Sequence, residues 1–182
     1  RQVMAKADTD LISVDEAISR VLEVIAPIDS EQVSISEAFG RVLANDIISR
    51  TTQPPLDVSA MDGYAVRTKD VTSIPIELSC VGEAPAGSPF QGVINSAETV
   101  RIFTGGAIPS GADAVVLQED TVVKNKSVKI TEKPTAGQYI RKAGLDFNAG
   151  KDRILAGRPL KVRDVGLAAA MNHPWVTVRR KP

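Results

Sequence analysis

Apolar positions change period along the chain, and the changes mark out its elements. Residues Val14, Ala17, Ile18, Val21, Leu22 and Ile25 fall at the three-and-four spacing of one helical face and stop before Pro27. Ser13 and Glu16 stand at the start of that stripe as a capping box, the serine placed to accept an orphan N–H and the glutamate to reach back. The spacing predicts a helix over 13–25 whose stripe is wide enough to need a partner surface. Ile35, Ala38, Phe39 and Val42 repeat at three and four again, which predicts a second, shorter helix over 34–44, weakened by Gly40 and turning extended over 42–48.

From residue 51 to 140 the texture becomes short β-rich runs at 76–81, 100–103, 114–117 and 128–130, separated by Gly, Pro, Asn and Asp. Helical texture returns over 162–171 and closes on Asn172 as a left-handed cap before Pro174; 175–178 then alternates like a strand and 179–182 reads as the start of a linker. The expected fold class is α+β. A mixed α/β domain is expected from both termini, residues 1–50 and 141–182, with a small β-barrel-like module inserted at 51–140.

Composition narrows the function. The 182 residues fit one domain or two small ones, and at 43% hydrophobic but 4% aromatic the core must be aliphatic. The scarcity of aromatics argues against a stacking platform for single-stranded nucleic acid. Lys and Arg balance Asp and Glu at 22 each, so no net field draws nucleic acid or an anionic membrane, and any anion site must be local. The one cysteine, Cys80, allows no intramolecular disulfide and no metal-ligand spacing, which fits a reducing, cytoplasmic setting. No apolar run approaches the roughly 20 residues of a membrane span, and no signal-peptide pattern opens the chain. It begins with Arg rather than Met, which is expected of a trimmed sequence.

Three loops carry candidate chemistry. PPLDVSAMDGYAVR (54–67) sets Asp62-Gly63 before a probable strand. The pair reads either as a plain hairpin turn or as a carboxylate presented at a cleft with the Ser59 hydroxyl nearby. RIFTGGAIPSGADAVVLQE (101–119) reads as strand, glycine-rich loop, strand. Its glycines serve a wide connection, or bring backbone N–H groups and the Thr104 hydroxyl onto an anion. It lacks the Gly-Lys-Ser/Thr ending and following helix of a Walker loop. RKAGLDFNAG (141–150) holds Asp146 among glycines beside Arg141 and Lys142, as a solvated boundary loop or a second carboxylate. His173, the single histidine, follows a predicted helix C-terminus, where a dipole contact accounts for it.

Taken together and in order, these loops resemble the MoeA and gephyrin E-domain family of molybdopterin molybdenumtransferases. The first is similar to the family's proline, serine and MDGYAV signature, the second to its strand followed by TGAPIPxGADAVV, and the third to R-x-x-GEDIxxG. SISEAFGRVLANDI and VGLAAAMN resemble the flanking segments, so the likeness runs from Leu11 to Val178. Leu145 and Phe147 depart from the third motif, and Met61 stands where the gephyrin branch has lysine.

The resemblance implies an enzyme that takes adenylylated molybdopterin and molybdate with Mg²⁺ and yields molybdenum cofactor and AMP. It implies a homodimer in which the inserted module of one subunit faces the pterin-binding domain of the other, and a molybdopterin adenylyltransferase as functional partner. Catalytic roles are expected for Asp62, Thr104 and Asp146, metal contacts at Asp62 and Asp146, and substrate contacts at Ser59, Gly63, Arg101, Gly105 and Gly106. The family's pterin-binding and C-terminal domains are expected beyond the sequence given, and these 182 residues alone are expected to be inactive. The competing reading is a non-catalytic dimerisation or scaffold module of gephyrin type. A carbohydrate- or nucleic-acid-binding β module ranks last, for want of aromatics and a basic stripe.

Overall fold

The computed structural model describes residues 12–182; Leu11, where the resemblance begins, lies outside them. Helix α1 spans Val14–Glu23. The Ser13 hydroxyl accepts the Glu16 N–H at 3.1 Å, but the reciprocal half of the box does not form. Glu16 instead takes Arg20 Nη2 at 2.6 Å, one turn on, because that pairing satisfies its charge. No residue of α1 is buried, so the predicted stripe is present and uncovered.

The second predicted helix does not form. Strand β1 (Ser30–Ser34) runs straight into a single 3-10 turn at Ile35–Glu37. Gly40 then adopts φ +74° and bends the chain away from a helical path. The N–H groups of Gly40 and Leu43 go to the carbonyls of Leu160 and Arg158, which replaces any intrahelical ladder. The three-and-four spacing arises from an irregular segment that buries Ala38 and Leu43 while Phe39 faces solvent.

Strand β2 (Ile47–Ile48) follows, then β3 (Val58–Ser59) and β4 (Gly63–Val66), which starts within the first candidate loop. Next come β5 (Ile76–Ala84), β6 (Glu98–Ile102), β7 (Ala114–Leu117), β8 (Thr121–Lys124) and β9 (Ser127–Ile130). The chain closes with β10 (Ile140–Arg141), β11 (Arg153–Ile154), helix α2 (Val162–Ala170) and β12 (Trp175–Arg179). Arg179 therefore belongs to a strand rather than to a linker. At the end of α2, Asn172 is left-handed at φ +66° and the His173 N–H closes on the Ala168 carbonyl, as the Asn-Pro pattern predicts.

The fold is α+β. Strands β4 to β9 build a curled six-stranded sheet in the order β7-β4-β6-β5-β9-β8, antiparallel except for the parallel β5–β6 pair. All four β4 residues are buried, because successive side chains enter two different clusters. Tyr64 and Val66 join Leu78, Val116, Val128 and Ile130, whereas Ala65 joins Ile94, Val100, Ile102 and Val115. A third cluster draws on both ends of the chain: Val33, Leu43 and Ile47 meet Phe147, Ile154, Leu160, Met171, Val176 and Val178. Pairing of β1 with β12 and of β2 with β11 ties those ends together. No helix among the described residues is long and apolar enough to cross a membrane.

Candidate functional site

Asp62 stands at the entrance to β4, and its pairing with glycine is not a hairpin turn. Gly63 has no positive φ and already pairs with Ile102 of β6 and Leu117 of β7. It is glycine because of close approach: a Cβ there would sit 2.0 Å from the Val116 carbonyl oxygen. The strand thus presents the Asp62 side chain from a rigid frame. Asp62 Oδ1 accepts the Thr104 N–H at 2.7 Å and the Thr104 hydroxyl at 2.8 Å. The Thr104 N–H, then its hydroxyl, then the positive charge of Arg101 hold the Asp62 carboxyl below the usual Asp range. Oδ2 accepts no hydrogen bond from the described residues.

Thr104 is exposed at the tip of the loop after β6. The N–H groups of Gly105 and Gly106 do not converge on an open anion site: they go to the carbonyls of Ser59, at 2.9 Å, and Phe103, at 2.8 Å. Gly106 packs so closely that a Cβ would lie 2.3 Å from the Ala84 carbonyl oxygen. Ser59 completes this frame from β3. It is buried, its hydroxyl donates to the Met61 carbonyl at 2.6 Å, and its backbone N–H donates to the Gly106 carbonyl. The glycines and Ser59 therefore fix the positions of Asp62 and Thr104.

Arg101, on β6, lies with its guanidinium carbon 5.0 Å from the Tyr64 ring centre and 4.9 Å from that of Phe103. Its Nη1 donates to the Gly63 carbonyl at 3.3 Å and its Nη2 to Gln118 Oε1 at 2.6 Å. Asp146 sits across β3. Pairing of β3 with β10 sets Val58 opposite Arg141 and Ser59 opposite Ile140, which brings the 141–150 loop beside the Ser59 frame. Both Asp146 oxygens accept from Arg141 Nη2, at 3.0 and 3.1 Å, in a half-exposed pair. Phe147, the departure from the motif, is buried in the cluster formed by the two chain ends and anchors this loop, while Leu145 faces solvent.

Asp57 was not singled out by the sequence reasoning. Its carboxylate accepts Lys142 Nζ at 2.7 Å and the Ala143 N–H at 2.9 Å, clamping the 141–150 loop to the segment before β3. Those two hydrogen bonds, the Lys142 one first, hold its carboxyl below the usual range. No local signal could have found it, since its partners lie 85 and 86 positions away. His173 sits at the end of α2, yet its Nε2 bonds the Ile48 carbonyl at 2.7 Å rather than a carbonyl of that helix.

Among the described residues no three or more His, Cys, Asp or Glu side chains form a metal-holding group. One exposed carboxylate oxygen on a rigid mount suits Mg²⁺, which commonly takes one or two carboxylates and completes its shell with water and substrate phosphate.

The family described as MoeA N-terminal region (domain I and II) matches residues 12–172. A molybdopterin molybdenumtransferase of Haemophilus influenzae is 38% identical over 163 residues, covering 88% of this chain and 40% of that protein. One from Nostoc is 38% identical over 144 residues, covering 77% and 33%. The crystal structure of the molybdopterin biosynthesis MoeA protein from Pyrococcus horikoshii OT3 matches with a TM-score of 0.86 at 35% identity, over 92% of this chain and 46% of that one. The chain thus spans between a third and two fifths of these two curated relatives.

Proposed function

Because this chain belongs to the MoeA family, as the N-terminal region made of domains I and II, we propose that it forms one wall of a molybdenum-insertion site in molybdenum cofactor biosynthesis. The reaction takes adenylylated molybdopterin and molybdate and releases cofactor and AMP. The observation that carries this reading is the pairing of Asp62 with both donors of Thr104, on a strand whose neighbours leave no room even for a Cβ at Gly63. Such rigidity is what positioning of a reacting group requires.

In this reading Asp62 stays anionic at neutral pH and directs Oδ2 outward as a ligand for Mg²⁺, which, when bound, offsets phosphate charge on the substrate. Thr104 orients the carboxylate. Ser59, Gly63, Gly105 and Gly106 position that pair, and Arg101 supplies positive charge beside it. Asp146 acts after exchanging Arg141 for substrate or metal, an inexpensive exchange because half-exposed ion pairs contribute only about 0–1 kcal/mol.

We assign residues 51–140 to the inserted module and 1–50 with 141–182 to a dimerisation domain, of which 1–11 lie outside the described residues. The uncovered apolar face of α1, from Val14 to Leu22, is its contact with a second subunit. The other wall of the site comes from a pterin-binding domain of that subunit, and a molybdopterin adenylyltransferase supplies the substrate. The same uncovered face is the feature that favours a gephyrin-type scaffold as the second reading. The test is AMP release from adenylylated molybdopterin by the full-length protein. Release that depends on molybdate and Mg²⁺ supports the enzyme, with none from the 182 residues alone. Its absence in the full-length protein leaves the scaffold.

A further inference from the structure

Around the corner of Arg101 from Asp62 lies an open groove of about 610 Å³, bordered by Cys80, Glu83, Arg101, Asn125 and Lys126. Its opening has a backbone cause. The parallel β5–β6 ladder shifts register between Cys80 and Glu83, so β5 carries one extra residue there and the strands part. On the far side, Asn125 turns the β8–β9 hairpin in a left-handed conformation, and the Lys126 carbonyl accepts the Cys80 N–H at 2.7 Å. That bond holds the hairpin tip, with Lys126, over the gap.

Arg101 is an unusual residue to find on this border. It is half-buried, and its hydrogen bonds go to a backbone carbonyl and an amide oxygen, both neutral. No carboxylate among the described residues lies within ion-pair distance of it, nor of Lys126. One of the chain's two tyrosines and one of its four phenylalanines flank the guanidinium. Asp62 feels this charge but does not pair with it, and a half-buried planar guanidinium flanked by two rings is already ordered for a two-pronged contact with an oxyanion. The one carboxylate on the border, Glu83, is exposed and is matched against two cations.

We propose that this groove is an oxyanion subsite, in which Arg101 and Lys126 bind a phosphoryl group or a free tetrahedral oxyanion. The identity of its ligand rests on the reading of Asp62 and Thr104 as a wall of the insertion site, because Arg101 borders both. Its ligand is then a phosphoryl group of the nucleotide-bearing substrate or molybdate itself, and the two share the chemistry that Arg101 recognises.

Cys80, the only cysteine, borders the groove and reports its occupancy. Alkylation of Cys80 in the 182-residue chain is followed by mass spectrometry with neutral iodoacetamide and anionic iodoacetate, at fixed ionic strength and pH. Inorganic phosphate, molybdate and AMP are titrated in turn against chloride. The subsite predicts saturable protection of Cys80 by an oxyanion that chloride does not give. It also predicts a several-fold fall in the iodoacetate-to-iodoacetamide rate ratio in Lys126→Gln, which leaves Arg101 and its neighbouring rings untouched, and in Arg101→Gln. Glu83→Gln tightens the protection. Protection by molybdate but not AMP assigns a free-oxyanion site; protection by AMP assigns a phosphoryl site. Equal protection by chloride, or phosphate protection unchanged in both cation variants, overturns the proposal. The assay needs no turnover, so failed AMP release by the full-length protein leaves the subsite standing, and lost protection leaves the insertion activity standing.

Discussion

Replacing Gly63 by alanine tests the rigid mount of Asp62 with a single methyl group. In β4 that methyl would meet the Val116 carbonyl oxygen at 2.0 Å, the Val116 carbonyl carbon at 2.9 Å and the Leu117 Cα at 3.2 Å. All three are backbone atoms, so no side-chain rotation relieves the contact. Ordinary contact begins at 3.4 Å, and β7 must therefore move away from β4 by more than an ångström, straining the pairing from Gly63↔Leu117 to Val66↔Ala114. Overpacking costs about 1–3 kcal/mol and each weakened ladder bond about 1 kcal/mol, which sets the expected loss near 3 kcal/mol. For a protein of this size that lowers Tm by about 6–12 °C. Gly40→Ala is the control. Its φ is +74° with nothing within 4 Å of a Cβ, so it bears only the left-handed backbone penalty of about 1–2 kcal/mol. Differential scanning calorimetry of the two variants separates the causes. A Gly63→Ala Tm equal to or above that of Gly40→Ala would refute the packing argument.

Ser13→Ala removes the cap of a helix with no buried residue, so the loss of about 1 kcal/mol should appear as fraying of α1 in amide chemical shifts, with the Tm of the sheet unchanged. The Asp57 clamp should be acid-sensitive. Lys142 and Ala143 lower its folded pKa, so its contribution is complete above the ordinary Asp value of 3.8 and is lost as pH falls through the lower folded value. NMR titration of the Ala143 amide should show that transition below pH 3.8, and Asp57→Asn should abolish it. Sedimentation should find a dimer that Val21→Glu dissociates; a strict monomer at high concentration would remove α1 from the interface.

The legible parts of the fold were those whose signal is local. Ser13 announced α1, the valine- and isoleucine-rich runs announced β5, β6, β7 and β9, and Asn172 before Pro174 announced the end of α2. What failed depends on partners distant in sequence. Strand β1 is mostly polar, buries only Val33 and exists because β12 pairs with it. The helical spacing at 34–44 was overridden by hydrogen bonds to residues 158 and 160. Strand β8 escaped notice as an edge with Val122 and Val123 exposed. In the candidate site, motif order pointed to Asp62 and Thr104, and the structure joins them. The same motifs could not reveal that Ser59 is buried, that the Gly105 and Gly106 N–H groups are already used, or that Asp57 holds the third loop. The Ser59 and Gly105 contacts join β3 to the loop after β6, and the Asp57 clamp joins the segment before β3 to the loop after β10, so both rest on partners distant in sequence.

The charge of Asp62 is central to the proposed site, and Asp62→Asn isolates it. The asparagine oxygen can accept both Thr104 hydrogen bonds, so local geometry should hold, with a small fall in Tm from the weaker neutral bonds, while the anionic ligand is lost. The measurement is molybdate- and Mg²⁺-dependent AMP release from adenylylated molybdopterin by the full-length protein, wild type against Asp62→Asn. A fall of about 100-fold or more in a variant that stays folded at the assay temperature is predicted, the scale on which loss of one preorganised electrostatic group acts. Turnover near wild type in the variant would contradict the account and leave Asp62 as no more than the residue that fastens the Thr104 loop to β4.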